Sequence, residues 1–183
     1  METSLGPRSG FRNGLRWLVL LCILLAGCRA DLATKSWAQS EFQDKPARTL
    51  LPKVLEFRYA ENRAFAFSIF QGMPESRRKP LVLVLTGLGL AALLTLVFRL
   101  RKQGLIRLLP VALILGGALG NLQDRLTHGY VVDFVHVHWN GAWSFPIFNL
   151  ADSLITVGMA LMILTSLFNP PETGPEHISR PNL

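Results

Sequence analysis

Two aspartates stand where an apolar chain has least use for them. Asp133 lies in Gly-Tyr-Val-Val-Asp-Phe at 129–134, just after one apolar block, and Asp152 lies in Phe-Asn-Leu-Ala-Asp-Ser at 148–153, inside the start of the next. A carboxylate at membrane depth is costly, so it marks a functional position with a partner. Each Asp is the candidate partner of the other. Two carboxylates in contact cannot both ionise, so one holds a proton that the other has given up. Such a pair can hydrolyse a peptide with water as the nucleophile: the ionised member takes a proton from water and the protonated member polarises the scissile carbonyl. The same pair could serve only to hold two helices together, and the two residues alone leave both roles open.

The elements that must position them are apolar spans. Half of the 183 residues are hydrophobic, and they come in long blocks, as in a polytopic membrane protein rather than a soluble domain. Spans are expected at about 15–33, 80–98, 105–122 and 146–168. The block at 80–98 is the clearest, free of charge along its length and opened by Pro80, which the first turn of a helix tolerates. Gly116, Gly117 and Gly120 make a small-residue stripe in the third span that permits close helix approach. Residues 1–14 and 169–183 are expected to be disordered tails, leaving 15–168 as one four-helix transmembrane domain. Within 34–79, the mixed apolar and polar stretch 50–70 is expected to form short strands or an interfacial cradle rather than a fifth span. The fold class is therefore an all-α membrane protein with four transmembrane helices and a small extracytoplasmic β-like cradle. Trp139, Trp143 and Phe145 suit the membrane–water interface.

The net charge of +7 does not call for nucleic acid. No recognition motif accompanies it, and the basic residues flank apolar blocks, where phospholipid head groups are the natural partner. Four spans put both termini on one side. Arg99, Arg101, Lys102 and Arg107 in the short loop after the second span favour the cytoplasm for that side.

Other constellations are weaker. His136 and His138 alternate near Asp133, but no His-Glu-x-x-His helix is present, so a wet surface is expected and no metal. Ser153 has no nucleophile elbow and no obvious base. Cys22 and Cys28 share one span and define no disulfide framework. Leu25-Ala26-Gly27-Cys28 matches the cleavage box of a lipoprotein precursor. A processed lipoprotein would not carry three further spans, and a short match in a Leu-rich helix arises easily by chance.

Residues 116–153 resemble the bacterial lipoprotein signal peptidases (signal peptidase II), four-span aspartic peptidases. The resemblance rests on Gly-Gly-Ala-Leu-Gly-Asn-Leu-Gln-Asp-Arg at 116–125 and the two Asp motifs at 129–134 and 148–153, in that order and each at a span boundary. It implies that Asp133 and Asp152 are the catalytic pair, with Asn121, Asp124, Arg125 and Asn149 holding them or the substrate, and Asp124–Arg125 as a structural ion pair. Asp31, Lys35 and Asn62 match further polar positions of the family, and helix-end solvation explains them equally well. The chain departs from the family at Leu32, where a Gln is usual, and at Ala64-Phe65, where the pattern has a glycine.

The resemblance further implies a substrate and a place. The enzyme would cleave lipid-modified prolipoproteins before the diacylglyceryl-Cys, without a cofactor, as a monomer. It would sit in the bacterial inner membrane with both termini cytoplasmic and the site near the extracytoplasmic face. Two other classes remain: a catalytically weak paralogue that binds lipopeptides or peptidase inhibitors, motivated by Leu32 and Ala64-Phe65, and a small transporter using the Asp pair as a proton relay. Internal repeats would favour the transporter, and none is evident.

Overall fold

A computed structural model describes residues 7–63 and 73–168, with residues 7–12 as backbone only. Ala64, Phe65 and the tail 169–183 lie outside the described residues. Four helices are long and apolar enough to cross a membrane: α1 (Pro7–Phe42), α2 (Glu75–Leu100), α3 (Leu105–Thr127) and α4 (Leu150–Phe168). Four strands join them: β1 (Arg48–Leu51), β2 (Leu55–Asn62), β3 (Val131–Trp139) and β4 (Trp143–Ser144).

The helix boundaries differ from those expected. α1 starts inside the segment read as a tail and runs past the expected end near residue 33. Its last turns are held by packing: Ala38 and Phe42 form a buried cluster with Phe134, against which Phe57 and Tyr59 lie. Trp37 meets Phe42, Phe57 and Phe134 edge to face. Pro80 lies in the second turn of α2 rather than the first, because the helix opens earlier, at Glu75. Pro110 sits at the same depth in α3. Each removes one N–H from its helical ladder, a local cost that a span packed on its neighbours tolerates.

α3 is the central helix, packed against the other three. Glycines set its distances. A Cβ on Gly116 would meet the Leu24 carbonyl at 3.0 Å, and one on Gly117 would meet the Ala151 carbonyl at 2.5 Å. The stripe thus lets α1 approach on one side and α4 on the other, with no side chain between. The outer faces are apolar and exposed (Leu88, Leu94, Phe98, Ile163 and Leu167 among them) as lipid-facing surfaces should be.

The sheet is antiparallel throughout, in the order β1-β2-β3-β4. Asn140 and Gly141 both have positive φ, which the tight turn between β3 and β4 requires. Two registers carry the site. Ala60 on β2 pairs with Asp133 on β3. Phe148, just before α4, bridges to Val135, and its carbonyl accepts from the N–H groups of Phe134 and Val135. The entry to α4 is thereby fastened to β3 next to Asp133.

The C-terminal end of α3, the N-terminal end of α4 and the middle of the sheet meet at one end of the bundle. The opposite end is closed by Arg16, whose guanidinium donates to the carbonyls of Gln103 (2.6 Å) and Arg101 (2.7 Å) in the α2–α3 loop.

Candidate active site

Asn149 is the N-cap of α4, and Asp152 is the third residue of its first turn. The Asn149 Oδ1 accepts from the Asp152 backbone N–H at 2.9 Å. The Asp152 Oδ2 accepts in return from the Asn149 N–H at 3.3 Å. This reciprocal capping satisfies two backbone donors that a helix start leaves open. It also fixes the Asp152 carboxylate at the positive end of the helix dipole, which complements negative charge.

Asp133 is reached from both flanks. Asn149 Nδ2 donates to its Oδ1 at 2.6 Å, and Asn62 Nδ2, from β2, donates to its Oδ2 at 2.9 Å. Asp152 Oδ1 accepts from Asn121 Nδ2 at 2.9 Å. All four carboxylate oxygens therefore accept a hydrogen bond from the protein. Each keeps lone-pair capacity for a shared proton, a water or a substrate group.

Asp133 is 2 % exposed. Burial first, and the charge of Asp152 second, push its carboxyl up from 3.8 to about 7, against the opposing hydrogen bonds from Asn62 and Asn149. The two carboxylates thus feel each other, and near neutral pH the pair holds a proton that an isolated Asp would have lost.

Lys35 is the hub behind them. Its buried ammonium pairs with Asp31 at 2.7 Å and Asp124 at 3.1 Å, and donates to Asn121 Oδ1 at 2.8 Å. Asn121 relays that hold to Asp152 through its other atom. Asp31 spends its second oxygen on the Ala151 N–H at 2.8 Å. Asp124 accepts from the Val132 N–H at 3.1 Å, which ties α3 to β3 one residue before Asp133. A Cβ on Gly120 would land on the Asp31 carboxylate, so this position accepts only glycine without displacement.

The polar residues that the resemblance pointed to join this one network: Asp31, Lys35, Asn62, Asn121, Asp124, Arg125, Asn149 and the two aspartates. The expected Asp124–Arg125 pairing is corrected. Asp124 is bridged to Lys35, and the Arg125 guanidinium donates to the Asn121 carbonyl at 3.1 Å while acting electrostatically on Asp152, Asp133 and Asp124. Adjacent helical residues point about 100° apart, so they do not face each other.

The sequence did not nominate Tyr59 and Tyr130, whose hydroxyls meet at 3.3 Å. Burial, then the bond to Tyr130, pushes the Tyr59 phenol above its usual range. The Arg63 guanidinium lies 5.4 Å from the Tyr130 ring centroid. The only available signal was that Tyr130 sits within the 129–134 motif.

The family model described as Signal peptidase (SPase) II matches residues 22–168. A lipoprotein signal peptidase of Shewanella loihica is 38% identical over 175 residues, covering 95% of this chain and 99% of that protein. One of Pseudomonas aeruginosa is 36% identical over 158 residues, covering 86% and 89%. Among solved structures, one described as a bacterial membrane enzyme is similar with a TM-score of 0.68 and 25% identity, over 87% of this chain and 94% of that one. A second with the same description has a TM-score of 0.68 and 27% identity, over 82% and 94%. A non-cleaving binder is not favoured by relatives that are named as peptidases. On the family match and these identities over most of its length, the chain belongs to the signal peptidase II family.

Proposed function

We propose that Asp133 and Asp152 are the catalytic pair of this peptidase, whose activity is the removal of signal peptides from diacylglyceryl-modified prolipoproteins by cleavage before the lipidated Cys. Water enters between the carboxylates. The ionised member deprotonates it as it attacks the scissile carbonyl, and the protonated member gives that carbonyl oxygen its proton. As the C–N bond breaks, the proton taken from water passes to the departing amine, and the hydroxyl that re-forms the carbonyl gives its proton back to the other carboxylate. No assignment of resting proton to one oxygen is needed, because the pair titrates as a unit.

The observation that carries this is that one residue, Asn149, holds both carboxylates, its Nδ2 donating to Asp133 Oδ1 at 2.6 Å and its N–H to Asp152 Oδ2 at 3.3 Å. Burial and the charge of Asp152 accordingly raise Asp133. A purely structural polar pair has no need of a proton held near neutrality. Asn149 positions both carboxylates, Asn62 holds Asp133, and Asn121, backed by Lys35, holds Asp152. Asp31, Asp124 and Arg125 position these in turn.

The protein is a multi-pass bacterial membrane protein. We further place both termini in the cytoplasm and the carboxylate pair near the extracytoplasmic face, working as a monomer. Arg99, Arg101 and Arg107 at the opposite end of the bundle support that orientation. Exposed Trp139, Trp143 and Phe145 support contact with phospholipid at the sheet end. A substrate tethered by its lipid would then present its scissile bond at that depth.

The test is cleavage of a purified lipid-modified prolipoprotein with this chain as the sole peptidase. Release of the signal peptide by the wild type, and its loss in both Asp133→Asn and Asp152→Asn, is the expected result. Full activity in either variant would refute the assignment.

A further inference from the structure

A second cluster lies further along β3, on the same sheet but apart from the carboxylate pair. Glu56 on β2 is the cross-strand partner of His136 on β3. His138 follows two residues on, on the same face of the strand. Each side chain offers one donor atom such that all three lie within 4.8 Å of one another. His136 Nδ1 is 2.8 Å from Glu56 Oε1, and His138 Nε2 is 3.9 Å from Glu56 Oε2. The two imidazoles stack with centroids 5.0 Å apart. The side chains are 13%, 20% and 19% exposed for His136, His138 and Glu56, so the cluster is sheltered yet reachable from solvent.

We propose that Glu56, His136 and His138 form a binding site for a divalent transition-metal ion of the zinc class. Two imidazoles and one carboxylate suit zinc and its neighbours rather than calcium or magnesium. Donors bonded at about 2.0–2.1 Å in a tetrahedron stand roughly 3.3 Å apart. The contacts run to different Glu56 oxygens, 2.8 Å to Oε1 and 3.9 Å to Oε2, and one donor atom from each side chain lies within 4.8 Å of the others, so the three side chains draw together as they close on an ion. Water takes the fourth position.

An independent feature points the same way. The other nitrogen of His136, Nε2, lies 2.8 Å from Ser144 Oγ on β4. A metal-bound imidazole characteristically gives its second nitrogen to a fixed partner, which sets the tautomer and the ring orientation. With the ion on Nδ1, the Nε2–H donates to Ser144. Without it, the hydroxyl reverses and donates to Nε2, while Nδ1–H faces Glu56. A serine hydroxyl serves either way.

The consequence is mechanical. The ion clamps β2 to β3 three residues beyond Asp133 and reaches β4 through Ser144. It therefore stiffens the sheet that presents Asp133 and Asn62, without touching either.

The test uses the full chain without a histidine tag, in detergent, stripped by chelator. Zinc is titrated by calorimetry, and cobalt by its visible absorption. One saturable site per chain is expected in the wild type, with a zinc-dependent rise in thermal midpoint. His138→Ala and Glu56→Gln should weaken binding at least roughly tenfold and abolish that rise, and Ser144→Ala should weaken it by a smaller factor. His138→Gln, which keeps a polar planar side chain, serves the same purpose should His138→Ala fold poorly. Absence of a saturable site in the wild type would overturn the proposal. So would affinities in Glu56→Gln and both His138 variants equal to the wild type, which would leave Glu56–His136 as a cross-strand ion pair alone.

Discussion

Asp31, on α1, accepts a hydrogen bond from the backbone N–H of Ala151, 2.8 Å away and one residue before Asp152. A residue at the far end of the first span thus caps the helix that carries one of the two proposed catalytic carboxylates. Its other oxygen holds Lys35 at 2.7 Å. Asp31→Ala should leave a buried ammonium short of one partner and cost up to about 3–5 kcal/mol. Asp31→Asn keeps an acceptor for Ala151 and should cost less. Thermal unfolding in detergent separates the two, and activity should follow the same order because Asp152 loses its support.

Asn149 joins a structural task to a chemical one. Asn149→Ala removes the cap, worth about 1 kcal/mol, together with the donor to Asp133. Asn149→Ser restores a good cap but is too short to reach Asp133. The serine variant should therefore recover most of the stability lost in the alanine variant while kcat stays low. Parallel recovery of both would contradict the role given to its amide.

The pH profile of cleavage should be bell-shaped. Asp133 is raised, so the shared proton is kept until pH passes about 7. Above that value both carboxylates ionise, the acid is lost and the rate falls. At low pH both are protonated and the base is lost. Asn149→Asp adds a third negative charge beside the pair and should move the alkaline limb upward. A kcat/KM profile for each enzyme measures both limbs.

Stability should depend on pH through the same group. A carboxyl whose folded value exceeds its unfolded value of 3.8 binds its proton more tightly in the native state. Stability is therefore greatest below 3.8 and falls as pH rises toward about 7, by up to ~1.4 kcal/mol per unit from this group. Asp133→Asn removes that dependence. Its unfolding temperature should change less with pH than that of the wild type, with cleavage down by roughly 10²–10⁴-fold. Melting curves of both proteins across this range decide it.

Close helix approach is the last target. Gly117→Ala would drive a methyl into the Ala151 carbonyl, and Gly120→Ala would drive one into the Asp31 carboxylate. Each should cost about 1–3 kcal/mol through overpacking, and each should impair cleavage by shifting α4 or Asp31. Gly87→Ala, with open space around it, should lie within about 0.5 kcal/mol of the wild type.

The sequence by itself made four apolar spans legible and nominated the two aspartates and the polar residues around them. Apolar blocks long enough to cross a bilayer are a local property of the chain, and a carboxylate beside them is costly wherever it falls. The strands near residue 50 were visible only as a mixed stretch, and the end of α1 was placed too early because its last turns are helical by packing on Phe134 and not by composition. Tertiary structure alone decided the long-range partners. Lys35 meets Asp31 at the i,i+4 spacing of one helix, but it reaches Asp124 on α3 only in the folded chain, and Glu56 meets His136 across 80 positions. No spacing rule foresees these last two pairs. They follow from how closely Gly116, Gly117 and Gly120 let the helices approach and from the register of β2 on β3. A one-residue slip in that register would turn every side chain to the opposite face.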